Sequence, residues 1–192
     1  MAFAFPLTPA QFLDQLRVQS ARFWLPESLT LESTEGGEIF TADRGPRLWQ
    51  AEFTLAQGHH HSVDEDEARL AMLAQAGRSF LAYDPRRTGP KADPDGVGLV
   101  GFSPVISSTT AREVTLSGLP SGYQISRGDY LGWIYGTNPV RYALHRAVTA
   151  PTSTSGGAAT VEVTPNIRTG AAAGTTVSLL RPVCKMILVP GS

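Results

Sequence analysis

Only one cysteine, Cys184, stands in the 192 residues of the chain, so no intrachain disulfide can form and the fold must rest on packed apolar residues. Cys184 lies in the run Val183-Cys184-Lys185-Met186-Ile187-Leu188, which reads as a buried strand. There a free cysteine serves as a small hydrophobe rather than a catalytic thiol. Apolar runs long enough to cross a bilayer as a helix, about 18 residues, are missing too. The start, Met1-Ala2-Phe3-Ala4-Phe5-Pro6, lacks the basic region and apolar stretch of a signal peptide, so a soluble protein made in the cytoplasm is expected. Charge is scarce: charged residues make up 17% of the chain and the formal net charge is −1. That balance gives no general attraction to nucleic acid or to an anionic membrane, and neither is expected as a partner. Histidine is scarce as well, with four residues in the chain.

What is present is apolar residues (42%) and turn formers, with 19 glycines and 14 prolines. The length suits one large domain or two small ones, since domains cluster at roughly 100–150 residues. Thr8-Pro9-Ala10-Gln11 predicts a short helix, with Thr8 as cap, Pro9 at its first position and Phe12, Leu13 and Leu16 as its apolar stripe. From Arg22 the period turns to two. Leu29-Thr30-Leu31, Ile39-Phe40-Thr41 and Leu48 to Leu55 read as half-buried antiparallel strands, the last with Trp49, Ala51, Phe53 and Leu55 on one face. A second helix is expected to be capped by Ser62, to carry Asp64 to Glu67 at its positive end and to stop at Gly77. The strand Ser79 to Tyr83 follows, ending at Asp84-Pro85. The polar, proline-rich segment 85–98 reads as a domain boundary or an interaction arm. Beyond it come short strands separated by turns, among them Val114-Thr115-Leu116, Tyr123-Gln124-Ile125, Tyr130 to Tyr135, Tyr142 to Val148 and Thr160 to Val163. Ser153 to Gly157 reads as a flexible hairpin tip. Five or six strands in about 75 residues suggest a small barrel or sandwich.

Motifs that carry chemistry are few. His59-His60-His61, with Asp64 and Asp66 nearby, offers an N/O donor set for a metal, but no second cluster accompanies it, and His145 stands alone among strand residues. Arg127-Gly128-Asp129 spells an adhesion tripeptide, yet it also reads as a turn in which Gly128 takes positive φ and Asp129 caps with its own side chain. Asp84 follows a strand, where a catalytic acid can sit, though Asp-Pro also starts turns. Arg86, Arg87 and Lys91 share one loop without the aromatic interleaving of a nucleic-acid platform. No Gly-x-Ser-x-Gly elbow and no phosphate-cradling glycine loop occurs. No catalytic residue, cofactor or metal site is therefore assigned.

Two stretches resemble the distal tail proteins of long-tailed phages and gene transfer agents. One is the helix up to Gly77, then Ser79-Phe80-Leu81-Ala82-Tyr83-Asp84-Pro85 and the loop with Gly89-Pro90. The other covers 119–188, with the Gly128-Asp129 turn, the aromatic-and-arginine run Tyr142 to Arg146, and a V-x-V-x-P-x-I-R pattern from Val161 to Arg168. The resemblance implies a mainly β fold: a β-sandwich ring domain of residues 1–95 completed by 181–192, with one or two short helices, and a small barrel of the oligonucleotide/oligosaccharide-binding type inserted at 96–180. It implies a non-enzymatic virion protein at the tail tip, a homo-hexameric ring joining the tail tube protein to the hub or baseplate protein. Another tail or neck subunit (tube, terminator or connector) and a carbohydrate-binding β-sandwich module are the competing expectations.

Overall fold

Alternating apolar residues between turn formers dictate short strands along most of the chain, and strands dominate the structure. The computed structural model describes residues 3–189, the Ser62 side chain excepted. The strands are β1 (Val18–Trp24), β2 (Leu29–Ser33), β3 (Ile39–Asp43), β4 (Gln50–Leu55), β5 (Phe80–Ala82), β6 (Val105–Thr109), β7 (Glu113–Ser117), β8 (Tyr130–Tyr135), β9 (Arg141–Ala147), β10 (Ala159–Thr164), β11 (Val177–Ser178) and β12 (Cys184–Met186). A helix, α1 (His60–Leu73), lies between β4 and β5. The fold is mainly β, as the sequence implies.

Six strands form an antiparallel sheet in the order β11-β8-β9-β10-β7-β6. Its two ends meet: Val105 bridges to Thr176, and the Ile106 N–H donates to the Thr175 carbonyl at 2.9 Å. The sheet is thus nearly closed and barrel-like, which removes most of its exposed edge. Ile106, Val114, Leu116, Ile125, Leu131 and Val161 fill its interior and are fully buried. The remaining strands pair two by two: β1 with β4, β5 with β12, and β2 with β3. A second buried cluster gathers Leu7, Phe12, Leu13, Phe23, Leu73, Phe80 and Cys184. Tyr130 and Leu144 join this cluster from the barrel-like sheet, whereas Leu131 and Trp133 belong to the first. Strand β8 is therefore a shared wall covered on both faces, which explains its unbroken apolar run Tyr130-Leu131-Gly132-Trp133.

Several local expectations change. Pro9–Gln11 and Leu13–Gln15 are 3₁₀ turns rather than one α-helix, although Gln11 Oε1 does accept from the Thr8 N–H at 3.0 Å. Helix α1 begins at His60 with His59 as its N-cap, so Ser62 lies inside the first turn instead of capping it; its side chain lies outside the described residues. The helix stops at Leu73, and Gly77, with φ +79°, belongs to the turn beyond. Tyr123 to Ile125 form no strand, only a bridge from Gln124 to Thr152. The segment 85–98 is tied down rather than extended as an arm: Pro90 is buried, Arg181 donates its N–H to the Thr88 carbonyl, and the Lys91 N–H reaches Asp129 Oδ1 at 3.0 Å.

The tip at Ser153 to Gly157 is anchored too. Ser153 is buried, its hydroxyl accepting from the Tyr123 N–H at 2.8 Å and donating to the Pro120 carbonyl. Gly157 takes φ +73° against the Leu119 backbone, where a Cβ would collide with a carbonyl. The run is polar because its hydroxyls satisfy neighbouring backbone, not because it is loose.

The half-buried reading holds for β4, whose burial alternates along its length. It fails for β2 and β3. Among the described residues these strands pair only with each other, and they form a hairpin standing outside both clusters, with Leu31 67% and Ile39 70% exposed.

A candidate interaction groove

A large concavity lies where the β1–β4 pair, strand β9 and the chain around β12 face one another. Its volume is about 1120 Å³, and its walls include Trp24, Leu48, Trp49, Phe53, Tyr142 and Ile187. The β4 wall follows from period-two alternation, which turns Ala51 and Phe53 inward and Glu52 and Thr54 to solvent. Arg141, Arg168 and Lys185 are exposed charges lining the groove. A smaller hollow of about 540 Å³ sits beside Gly132, Trp133, Thr176 and Arg181.

Polar bonds fix the groove's floor. The Trp49 indole N–H donates to the Leu144 carbonyl at 2.7 Å, tying the β4 side to β9. Trp49 also packs edge-on against Tyr130 at 5.6 Å, and Phe23 stands 5.6 Å from Trp49. The Arg146 guanidinium lies over the rings of Tyr130 and Trp49, and its Nη2 donates to the Tyr130 hydroxyl at 3.0 Å. The Arg146 Nε is buried without a hydrogen-bond partner among the described residues. The Tyr130 hydroxyl donates in turn to Asp84 Oδ2 at 3.3 Å, and Asp84 receives two bonds of 2.9 Å from the Arg86 side chain. Burial pushes the Asp84 pKa up, but the bonds from Arg86 outweigh it and hold this carboxyl below the usual range. Asp84 is thus an ionised anchor gripped by arginine, and the network joins the end of β5 to the barrel wall.

His145 belongs to the same region. Its ring stacks on Trp133 at 4.5 Å, and Nδ1 lies 2.7 Å from the Pro165 carbonyl. Burial lowers its pKa to about 4, with the charge of Arg168 pushing the same way and the Pro165 carbonyl opposing. The ring is neutral at neutral pH, with its Nδ1–H given to that carbonyl.

The motifs singled out from the sequence fall elsewhere. His60 and His61 are exposed on the first turn of α1, and Asp66 is buried in ion pairs with Arg17 (3.3 Å) and Arg69 (3.2 Å). Among the described residues no three His, Cys, Asp or Glu side chains gather as a metal-binding group. Asp129 is buried: Oδ2 accepts from the Ser126 N–H at 2.7 Å and Oδ1 from the Lys91 N–H, so the tripeptide is a turn whose carboxylate is spent internally. Gly128 takes φ +89° and gives its carbonyl to Arg87 at 3.0 Å. Cys184 is buried among apolar residues, and burial pushes its thiol pKa up to about 12, where no nucleophilic thiolate forms at neutral pH. Of the sequence candidates, His145 and Cys184 line the groove, and Asp84 lies behind its floor, bonded to Tyr130. The groove itself was hidden because its walls come from three distant segments; the one signal for it in the sequence was the aromatic-and-arginine run Tyr142 to Arg146.

What fold and groove define is a class: a mainly β protein with a nearly closed six-stranded sheet, an apolar groove rimmed by cations, and a hairpin outside its cores. Compared with known proteins, the chain matches no protein-family model and no curated protein.

Proposed function

We propose that the protein is a structural, non-enzymatic subunit of a phage tail, a distal tail protein whose copies form a hexameric ring between the tail tube and the hub or baseplate at the tail tip. In this reading residues 1–95 with 181–192 make the ring domain, and 96–180 are the inserted barrel. The observation that carries the reading is the hairpin β2–β3, which presents apolar side chains with nothing among the described residues to cover them. Such surfaces belong to subunits that complete themselves by assembly. Support comes also from the resemblance at Ser79 to Pro85 and 119–188, and from the buried, hydrogen-bonded state of the candidate catalytic groups Asp84 and Cys184. A tube, terminator or connector subunit would share these features and differ in place and copy number.

Counting copies in purified tails by electron microscopy, with an antibody to this chain, decides between them. Six copies confined to the tip are expected. Labelling along the tube, or one or three copies per tail, overturns the adaptor reading.

A further inference from the structure

We infer that the β2–β3 hairpin of one copy docks into the groove of a second copy. The inference rests on the reading of the chain as a self-assembling subunit and names the two surfaces that would meet. Directly paired residues share a face of the hairpin, so the register Leu29↔Asp43, Leu31↔Thr41 and Ser33↔Ile39 places Leu29, Leu31 and Ile39 on one side. All three are exposed. A two-stranded ribbon with one uncovered apolar face is marginal in water by itself, and covering that face is what would hold it. The groove offers matching surface, with Leu48 and Ile187 exposed on its walls.

Charge selects this occupant. The hairpin segment 29–43 carries Glu32, Glu35, Glu38 and Asp43, four carboxylates against a cation at its base, Arg44, which donates to the Thr30 hydroxyl at 2.8 Å. The groove is rimmed by Arg141, Arg168 and Lys185 against the single carboxylate of Glu52. Among the described residues none of the four hairpin carboxylates and none of the three cations forms an ion pair within its own chain. An acidic ribbon with an apolar face thus meets a basic-rimmed apolar trough, and each copy holds one of each. The two surfaces differ, so the contact is head to tail and builds a ring or a filament rather than a two-fold pair. Opposite charges at the rim also make the association weaken with salt.

The test is a charge swap followed by light scattering at matched concentration and low salt. One variant carries Glu32→Lys and Glu38→Lys; the other carries Arg141→Glu and Arg168→Glu. All four sites are exposed, and circular dichroism checks that both variants keep the parent spectrum. The parent is expected to assemble beyond a dimer, and each variant alone to associate roughly tenfold more weakly or worse. An equimolar mixture of the two should recover assembly, because lysine hairpins then meet glutamate grooves. Variants that assemble like the parent, or a mixture that stays dissociated, overturn the docking and leave the ring reading to be judged by copy number on tails. A parent that is monomeric at every concentration also overturns it, as would follow if each hairpin folded back onto its own groove.

Discussion

Strands β2 and β7 are both five residues long and nearly alike in composition, Leu-Thr-Leu-Glu-Ser against Glu-Val-Thr-Leu-Ser, yet their fates differ. Strand β7 lies between β10 and β6, and its Val114 and Leu116 point into the barrel interior with no exposed surface. Strand β2 has only β3 beside it, and its Leu31 is mostly in solvent. Fully burying such a side chain is worth about 1.5–3 kcal/mol, so the same leucine contributes heavily in one strand and almost nothing in the other. Local pattern decides that a segment is extended. What covers it decides whether it stabilises the fold or waits for a partner.

The sharpest way to test the covered side of this contrast is Phe80→Ala. Phe80 is buried in β5, 4.8 Å from the Phe12 ring and opposite Met186 of β12, with Leu7 bridged to it as well. Removing its ring leaves a cavity that these neighbours fill poorly. A loss of about 3–5 kcal/mol is expected in urea melts. A loss under about 1 kcal/mol would mean that the second cluster is no true core, and the contrast with the hairpin would collapse.

The next effect is smaller and depends on pH. The folded pKa of His145, about 4, lies below the roughly 6.5 of an unfolded histidine. Its depressed value means that stability is fully present above pH ~6.5 and is lost as pH falls toward ~4. Each pH unit between the folded and unfolded values is worth about 1.4 kcal/mol, which makes about 3 kcal/mol in all. Asp84 is depressed below the ordinary carboxylate value, so its contribution is lost only at lower pH and the two windows separate. Urea melts from pH 7 to pH 4 on the parent and on His145→Gln check this. The parent should lose stability across that window and the variant much less. Equal slopes would show that His145 is not the group that resists protonation.

What could be read from residues alone was local. The face shared by Ala51, Phe53 and Leu55 followed from strict alternation, and the Gly128-Asp129 turn followed from a positive-φ glycine beside a capping carboxylate. The strand around Phe80 was legible because a run apolar on both faces needs cover on both. Long-range matters were not legible. Nothing in Ser153-Thr154-Ser155-Gly156-Gly157 reveals that Ser153 will meet the Tyr123 N–H, since that bond closes over 30 residues. Nothing in Leu29 to Phe40 reveals that no second layer will arrive, because alternation is identical in a half-buried strand and in one left bare. The groove shares this fate, its walls meeting only once β1, β4, β9 and the tail after β12 have been placed.

The smallest expected effect is the most telling about the hairpin. Leu31→Ser with Ile39→Ser changes two apolar residues on its exposed face, each paired across the ribbon with a polar residue, Thr41 and Ser33. Neither side chain belongs to a buried cluster, so no cavity forms and little buried surface is lost. Weakened cross-strand contacts are worth a few tenths of a kcal/mol each and concern only the hairpin, whose base is held separately by Arg47 bonds to the Leu25 and Pro26 carbonyls at 2.8 and 3.0 Å. At a dilution where copies do not associate, urea melts of this variant should match the parent within about 0.5 kcal/mol. Hydrogen exchange should quicken only at 29–43, where nearly every residue is exposed. A loss of about 2 kcal/mol or more under those conditions would mean that this face is covered within its own chain, and the hairpin would then be a third layer of the fold rather than a surface held out for another copy.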